Sequence, residues 1–152
     1  EGENDTTVIT QDAVLSTFDR ILHALTLAVA GIAAISLIVA GILVMNVMLV
    51  AVTQRTAEIG LLKAIGATSM DIRRLFFAEA LWLSLIGALL GFLLGEFGSL
   101  LLRLAYPQLP AWAPVWASFA GIGVALITGI LASLFPASKA ARLDAVQALS
   151  KK

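Results

Sequence analysis

The sequence predicts an all-α membrane protein with three transmembrane helices, an external N-terminus and a cytoplasmic C-terminus. Three observations carry this. Hydrophobic residues form 60% of the 152-residue chain and charged residues 13%, against about 45–50% and about 25% in soluble domains. Three apolar runs, over 24–52, 76–102 and 114–136, are long enough to cross a hydrocarbon core of ~30 Å. The basic residues set the orientation. Arg55, Lys63, Arg73 and Arg74 lie between the first two runs, and Lys139, Arg142, Lys151 and Lys152 follow the third. Only Arg20 and Arg103 fall on the opposite side, with Glu1, Glu3, Asp5, Asp12 and Asp19. Positive charge in short loops marks the cytoplasmic face.

Segment by segment, residues 1–23 are read as an extracytoplasmic segment and the start of a stalk. Glu1 to Thr10 is polar and expected to be irregular, with Thr10 as the N-cap of a helix and Asp12 in its first turn. Val14, Leu15, Phe18, Ile21, Leu22 and Leu25 then recur at helical spacing. No proline interrupts the chain from there to Val52, so one extended first helix of ~63 Å is expected. A short surface helix joined to the span by a bend is the alternative. The chain begins with Glu1, not Met, and an external N-terminus without a signal peptide implies the C-terminal part of a longer protein.

Residues 53–75 form the most informative stretch, a charged amphipathic island between two spans. Ala57 to Ile65 is expected to be a short helix with Ile59, Leu62 and Ile65 on one apolar face and Glu58 and Lys63 pointing elsewhere. Gly66 suits the left-handed position that ends a helix. Thr68-Ser69-Met70-Asp71 matches a capping box that restarts one. A hairpin needs only about 2–8 residues, so a segment this long is better suited to contact a soluble partner than merely to reverse the chain.

Within the spans, Gly87, Gly91 and Gly95 make two GxxxG steps, and Gly121, Ala125, Gly129 and Ser133 repeat the four-residue spacing. Small residues in register let helix backbones approach closely, within the chain or between chains. Two polar groups lie deeper: Asn46, expected to hydrogen-bond to a neighbouring helix, and Glu96, read as structural or interfacial in preference to a proton or substrate site, with Arg103 two turns along the same face. Glu79, near the inner interface, is expected to be solvated or paired with Arg73 or Lys63. Residues 103–113 form an outer loop. Pro136 is expected to end the third span, and 137–152 to form a cytoplasmic tail with a short helix near the headgroups.

Several function classes fall away. Zero net charge does not suggest nucleic-acid binding, and the absence of cysteine removes disulfides and thiolate metal sites. The single histidine, His23, has no ligand cluster beside it in the sequence. There is no phosphate-binding Gly-x-x-x-x-Gly-Lys-Ser/Thr loop, zinc-binding His-Glu-x-x-His or Gly-x-Ser-x-Gly elbow. The reading is of a non-enzyme with no catalytic, cofactor or metal site of its own.

The stretch VMNVMLVAVTQRTAEIGLLKAIGATSMDIRRLFFAEA (44–80), together with the glycine-rich second span and FPASKAARLDAVQALSKK at the end, resembles MacB/FtsX-type ABC transporter permeases. Arg55-x-x-Glu58-Ile59-Gly60 and Lys63-Ala64-Ile65-Gly66-Ala67-Thr68 are the most specific part. The resemblance covers residues 12–152 and implies transmembrane helices two to four of a four-helix permease that works as a homo- or heterodimer with a second permease copy. It further implies a cytoplasmic coupling helix docking on an ABC nucleotide-binding domain through Arg55, Glu58, Ile59, Gly60, Lys63 and Gly66. ATP and Mg would bind that domain and not this chain. A periplasmic adaptor and membrane lipid are the other implied partners, and the bacterial inner membrane the implied location. The implied function is ATP-driven export of a peptide, antibiotic or lipoprotein. The alternatives are mechanical activation of a cell-wall hydrolase, as in the FtsX branch, and an unrelated membrane scaffold, which leaves the basic island unexplained.

Overall fold

The computed structural model describes residues 2–150, with side chains from Asp5 to Ser150. All the regular structure of the described residues is helical, in the order α1 (Gly2–Gln54), α2 (Thr56–Ala64), α3 (Ser69–Ala105), α4 (Val115–Ala141) and α5 (Ala145–Ser150). Helices α1, α3 and α4 are each long and apolar enough to cross a membrane. Contacts divide the chain into two units, Glu1–Leu37 and Ile38–Lys152.

Among the described residues the first unit is a single length of helix, with side chains exposed from Asp5 to Ser36. It differs from expectation at its start. Helix already runs from Gly2, and Thr10 is not a cap: its hydroxyl donates to the Thr6 carbonyl one turn earlier. Ser16 and Thr17 hydroxyls likewise donate to the Ala13 carbonyl at 2.9 and 2.8 Å. Hydroxyls folded back on the backbone in this way let polar residues sit inside a helix, which is why polarity alone did not mark its start.

The second unit is organised by a turn and a hairpin. Helix α2 ends at Gly66, whose φ of 109° is the only positive value in the chain among the described residues. Ala67 N–H donates to the Leu62 carbonyl at 2.9 Å and Gly66 N–H to the Lys63 carbonyl at 3.1 Å, the paired bonds of a Schellman motif. Helix α3 restarts at the expected capping box. Asp71 N–H donates to Thr68 Oγ1 at 3.3 Å, while Thr68 N–H and Oγ1–H donate to Asp71 Oδ2 at 2.9 and 2.7 Å. Those bonds from Thr68 hold the Asp71 carboxyl below its ordinary value of 3.8. A depressed carboxylate stabilises the fold above that ordinary value and loses its effect as pH falls through the folded one. Acidification below 3.8 is therefore expected to loosen the first turn of α3, seen as faster hydrogen exchange at Asp71 and Ile72 relative to mid-helix amides.

Helices α3 and α4 form an antiparallel hairpin, since Ser84 meets Gly129 at one level and Ser99 meets Ala111 nearer the connecting loop. Ser99 Oγ donates to the Ala111 carbonyl, and the Arg103 guanidinium lies 4.2 Å from the Trp112 ring centroid. Contrary to expectation, Pro136 does not end α4, which continues to Ala141 with Pro136, Ala137, Ala140 and Ala141 all buried. The missing N–H of a proline removes one helical bond. Burial of four small residues against the neighbouring helices offsets that loss.

Little of the membrane-length surface is covered by the chain itself. Exposed Leu, Ile, Val and Phe line all three long helices. The tightest apolar packing lies instead at the end where α2 sits. Met48 and Val52 of α1, Ile59 of α2, Ile72, Phe76 and Ala80 of α3, and Ala137 and Ala140 of α4 form one buried cluster.

Candidate functional site

The charged island folds onto this cluster, and the positions of its side chains follow from that. Arg55 stands in the break between α1 and α2, as the N-cap residue of α2. Its Nε donates to Glu58 Oε2 at 3.0 Å and its Nη1 to Glu79 Oε1 on α3. The guanidinium carbon also lies 6.0 Å from the Phe76 ring centroid. Glu79 is thus paired with Arg55, not with Arg73 or Lys63. Hydrogen bonds from the Arg55 guanidinium to Glu79, then to Glu58, raise its pKa further above the already high arginine range. A raised base stabilises the fold below its unfolded pKa, so the cation persists throughout any working pH. Both side chains of the Arg55–Glu79 pair are about one-third exposed, so water screens it. An Arg55→Ala/Glu79→Ala double-mutant cycle, read by denaturant unfolding, is expected to give a coupling energy of about 1 kcal/mol.

Three other residues of the predicted set face inward. Ile59 and Gly60 are buried. A Cβ on Gly60 would lie 2.7 Å from Ala148 Cβ and 3.5 Å from the Ala145 carbonyl oxygen, so glycine is what lets α5 rest on α2. Lys63 also turns inward. Its Nζ donates to the Ala141 carbonyl and, at 2.7 Å, to the Leu143 carbonyl, both just where α4 ends. Ser69 Oγ, from the start of α3, donates to the same Ala141 carbonyl at 3.0 Å. A groove of about 670 Å³ lies beside this knot, between Lys63, Thr68, Ser69 and Arg73 on one side and Arg142 to Ala145 on the other.

The outward surface of α2 carries Glu58, Leu61 and, beyond the helix, Ile65. Leu61 is 58% exposed and Ile65 76%. Contrary to the single apolar face expected for the three, Ile59 and Leu62 turn inward while Ile65 does not. Gly66 is open, with nothing within 4 Å of where its Cβ would stand.

The intramembrane residues separate into contacts made and surfaces left open. Gly129 packs directly on Ser84, and Ala125 is half-buried. Gly87, Gly91, Gly95 and Gly121 meet nothing within 4 Å in this chain. Asn46 is exposed and, among the described residues, forms no hydrogen bond to a neighbouring helix. Glu96 is half-buried and has no ion-pair partner among the described residues, Arg103 being engaged with Ser99 and Trp112 instead. Glu79, Ser69 and Ala148 complete the junction and were absent from the predicted set. Glu79 had a legible signal, a carboxylate interrupting an apolar run.

The core cluster, and the junction apart from Ala148 of α5, fall within 30–145, the region matched by the family model for the FtsX-like permease C-terminal region. The chain belongs to the FtsX-like permease family. It is 38% identical over 150 residues to the macrolide export ATP-binding/permease protein MacB 2 of Aeromonas hydrophila, covering 99% of this chain and 23% of that protein. The MacB of Salmonella typhimurium is 39% identical over 150 residues, with the same coverage. An uncharacterized ABC transporter permease of Bacillus subtilis, YknZ, is 37% identical over 149 residues, covering 97% of this chain and 37% of the relative. The chain thus spans about a quarter of the length of the MacB proteins it matches. As an FtsX-like permease it belongs to the membrane component of ABC transporters, while the MacB relatives carry ATP-binding and permease functions in one protein by their names.

Proposed function

We propose that this permease segment transmits ATP-driven motion from a cytoplasmic nucleotide-binding domain to an extracytoplasmic domain, in the service of export. The observation that carries the proposal is the junction itself. Helix α2 is anchored inward through Ile59 and Gly60 and displays Glu58, Leu61 and Ile65 outward. A short helix rigidly tied to the long helices, with an exposed charged and apolar face, suits the transfer of force from a docked protein.

In this reading α2 is the coupling helix, on the cytoplasmic side with the C-terminus, because eight of the ten basic residues lie on that side. ATP and Mg bind the ATPase partner. The complete assembly holds two permease copies in a bacterial inner membrane, with a periplasmic adaptor as a further partner. The exposed helices α1, α3 and α4 then face lipid and the second copy. The export of macrolides named for the MacB relatives favours an antibiotic, peptide or lipoprotein substrate over activation of a cell-wall hydrolase.

The test replaces Arg55 to Ala67 by a Gly/Ser linker in the full-length protein, reconstituted in vesicles with its ATPase. Transport is expected to fall at least tenfold, with loss of substrate-stimulated ATP hydrolysis. Normal transport and stimulated hydrolysis with the linker in place would show that α2 is not the coupling element.

A further inference from the structure

We propose that Lys63 is an internal positioning residue that ties α2 to the end of α4 and to α5, so that the two short helices move as one body. This rests on the coupling role proposed for α2 and concerns how motion leaves it. The resemblance places Lys63 among the residues that dock on the ATPase, but its geometry points the other way. The ammonium group bridges the carbonyls of Ala141 and Leu143, which flank Arg142 at the C-terminal cap of α4. Neither carbonyl has a helical N–H partner, and that of Ala141, the last residue of α4, lies at the negative end of the helix dipole, so a cation there satisfies both needs.

Two independent contacts reinforce the tie. Ser69 Oγ donates to the Ala141 carbonyl at 3.0 Å, bringing the start of α3 to the same atom. Gly60 packs against α5, where an added Cβ would stand 2.7 Å from Ala148 Cβ and 3.5 Å from Leu149 Cγ. One lysine with two acceptors and one glycine contact therefore fasten α2 to both sides of the Arg142–Asp144 link. Tilting α2 then pulls on α4 directly, in addition to any push along α3. Helix α5 brings exposed Val146 and Leu149 beside α2, so the tail is part of the moving body.

The test uses the full-length transporter in vesicles, with transport and ATP hydrolysis measured together. Lys63→Met retains most of the apolar stem and removes the ammonium group; Lys63→Arg retains a cation of similar reach. The ratio of substrate moved to ATP hydrolysed is expected to fall at least tenfold in Lys63→Met and to recover to within threefold of wild type in Lys63→Arg. A ratio within twofold of wild type in Lys63→Met overturns the tie, while leaving the role of α2 to be judged by the linker experiment. Hydrolysis and transport falling together, at an unchanged ratio, also overturns it, because Lys63 would then be a contact to the ATPase.

Hydrogen exchange on the wild-type protein keeps the test independent of variant folding. With the tie intact, the Leu143 and Ala148 amides, which donate to the Ala140 and Asp144 carbonyls, keep the same protection with and without a non-hydrolysable ATP analogue. A tenfold or greater loss of protection in either state would show that α5 detaches, and the single-body proposal would fail.

Discussion

Phe76→Ala is expected to destabilise the protein by about 3–5 kcal/mol. Phe76 is fully buried, at 0% exposure, and it is the largest member of a cluster drawn from α1, α2, α3 and α4. The cluster's members on α4 are Ala137 and Ala140, and on α3, besides Phe76 itself, Ile72 and Ala80. Alanines have no rotamers with which to fill a vacated ring, so the cavity would stay open and its lining would lose dispersion contacts. Phe76→Leu retains most of the volume and is expected to cost less than about 1.5 kcal/mol. Denaturant unfolding in detergent, with both variants beside wild type, measures the difference. A loss below about 1 kcal/mol in Phe76→Ala would mean that the junction is loosely packed and ill suited to carry force.

That cluster shows how far the sequence reaches. The three long helices were legible because hydropathy over twenty or more residues is a strong signal with few competing explanations. Gly66 and the Thr68–Asp71 box were legible for the opposite reason: each is a local device whose geometry depends on a few adjacent residues. The inward turn of Lys63 was not. Its acceptors are backbone carbonyls 78 and 80 residues away, and a carbonyl leaves no mark in residue identity. A lysine on a nine-residue amphipathic helix looks like surface until the end of α4 is brought to it.

Two further misreadings have simple causes. Ile59 and Ile65 are six residues apart, which at 100° per residue separates them by about 120° around the axis. Ile59 is therefore buried while Ile65 is exposed. Pro136 carries a strong local signal to stop a helix, yet α4 continues because Ala137, Ala140 and Ala141 bury against the junction. Tertiary packing overrode propensity there, as it does wherever the buried surface is worth more than one lost hydrogen bond.

Gly129→Val is the second large effect expected, with a loss of about 2–3 kcal/mol from overpacking and separation of α3 from α4. A Cβ at position 129 would lie 1.6 Å from Ser84 Oγ and 2.6 Å from Ser84 Cβ. The hydroxyl can rotate away, but the Cβ can move only with its helix. Ser84→Gly is therefore expected to restore much of the stability lost in Gly129→Ala, and Ser84→Ala much less. The Ser84 hydroxyl is buried without a hydrogen-bond partner, so its removal forfeits no hydrogen bond within the chain. Thermal unfolding in detergent of the single and double variants gives the coupling. The same alanine change at Gly87, Gly91 or Gly95 meets nothing within 4 Å. In an isolated chain it should raise helix stability by about 0.5–1 kcal/mol, as glycine to alanine does in a helix interior. A fall in stability at those three positions in the assembled transporter would place another helix, from the rest of the permease or from a second copy, against that face of α3. A rise would leave the face to lipid.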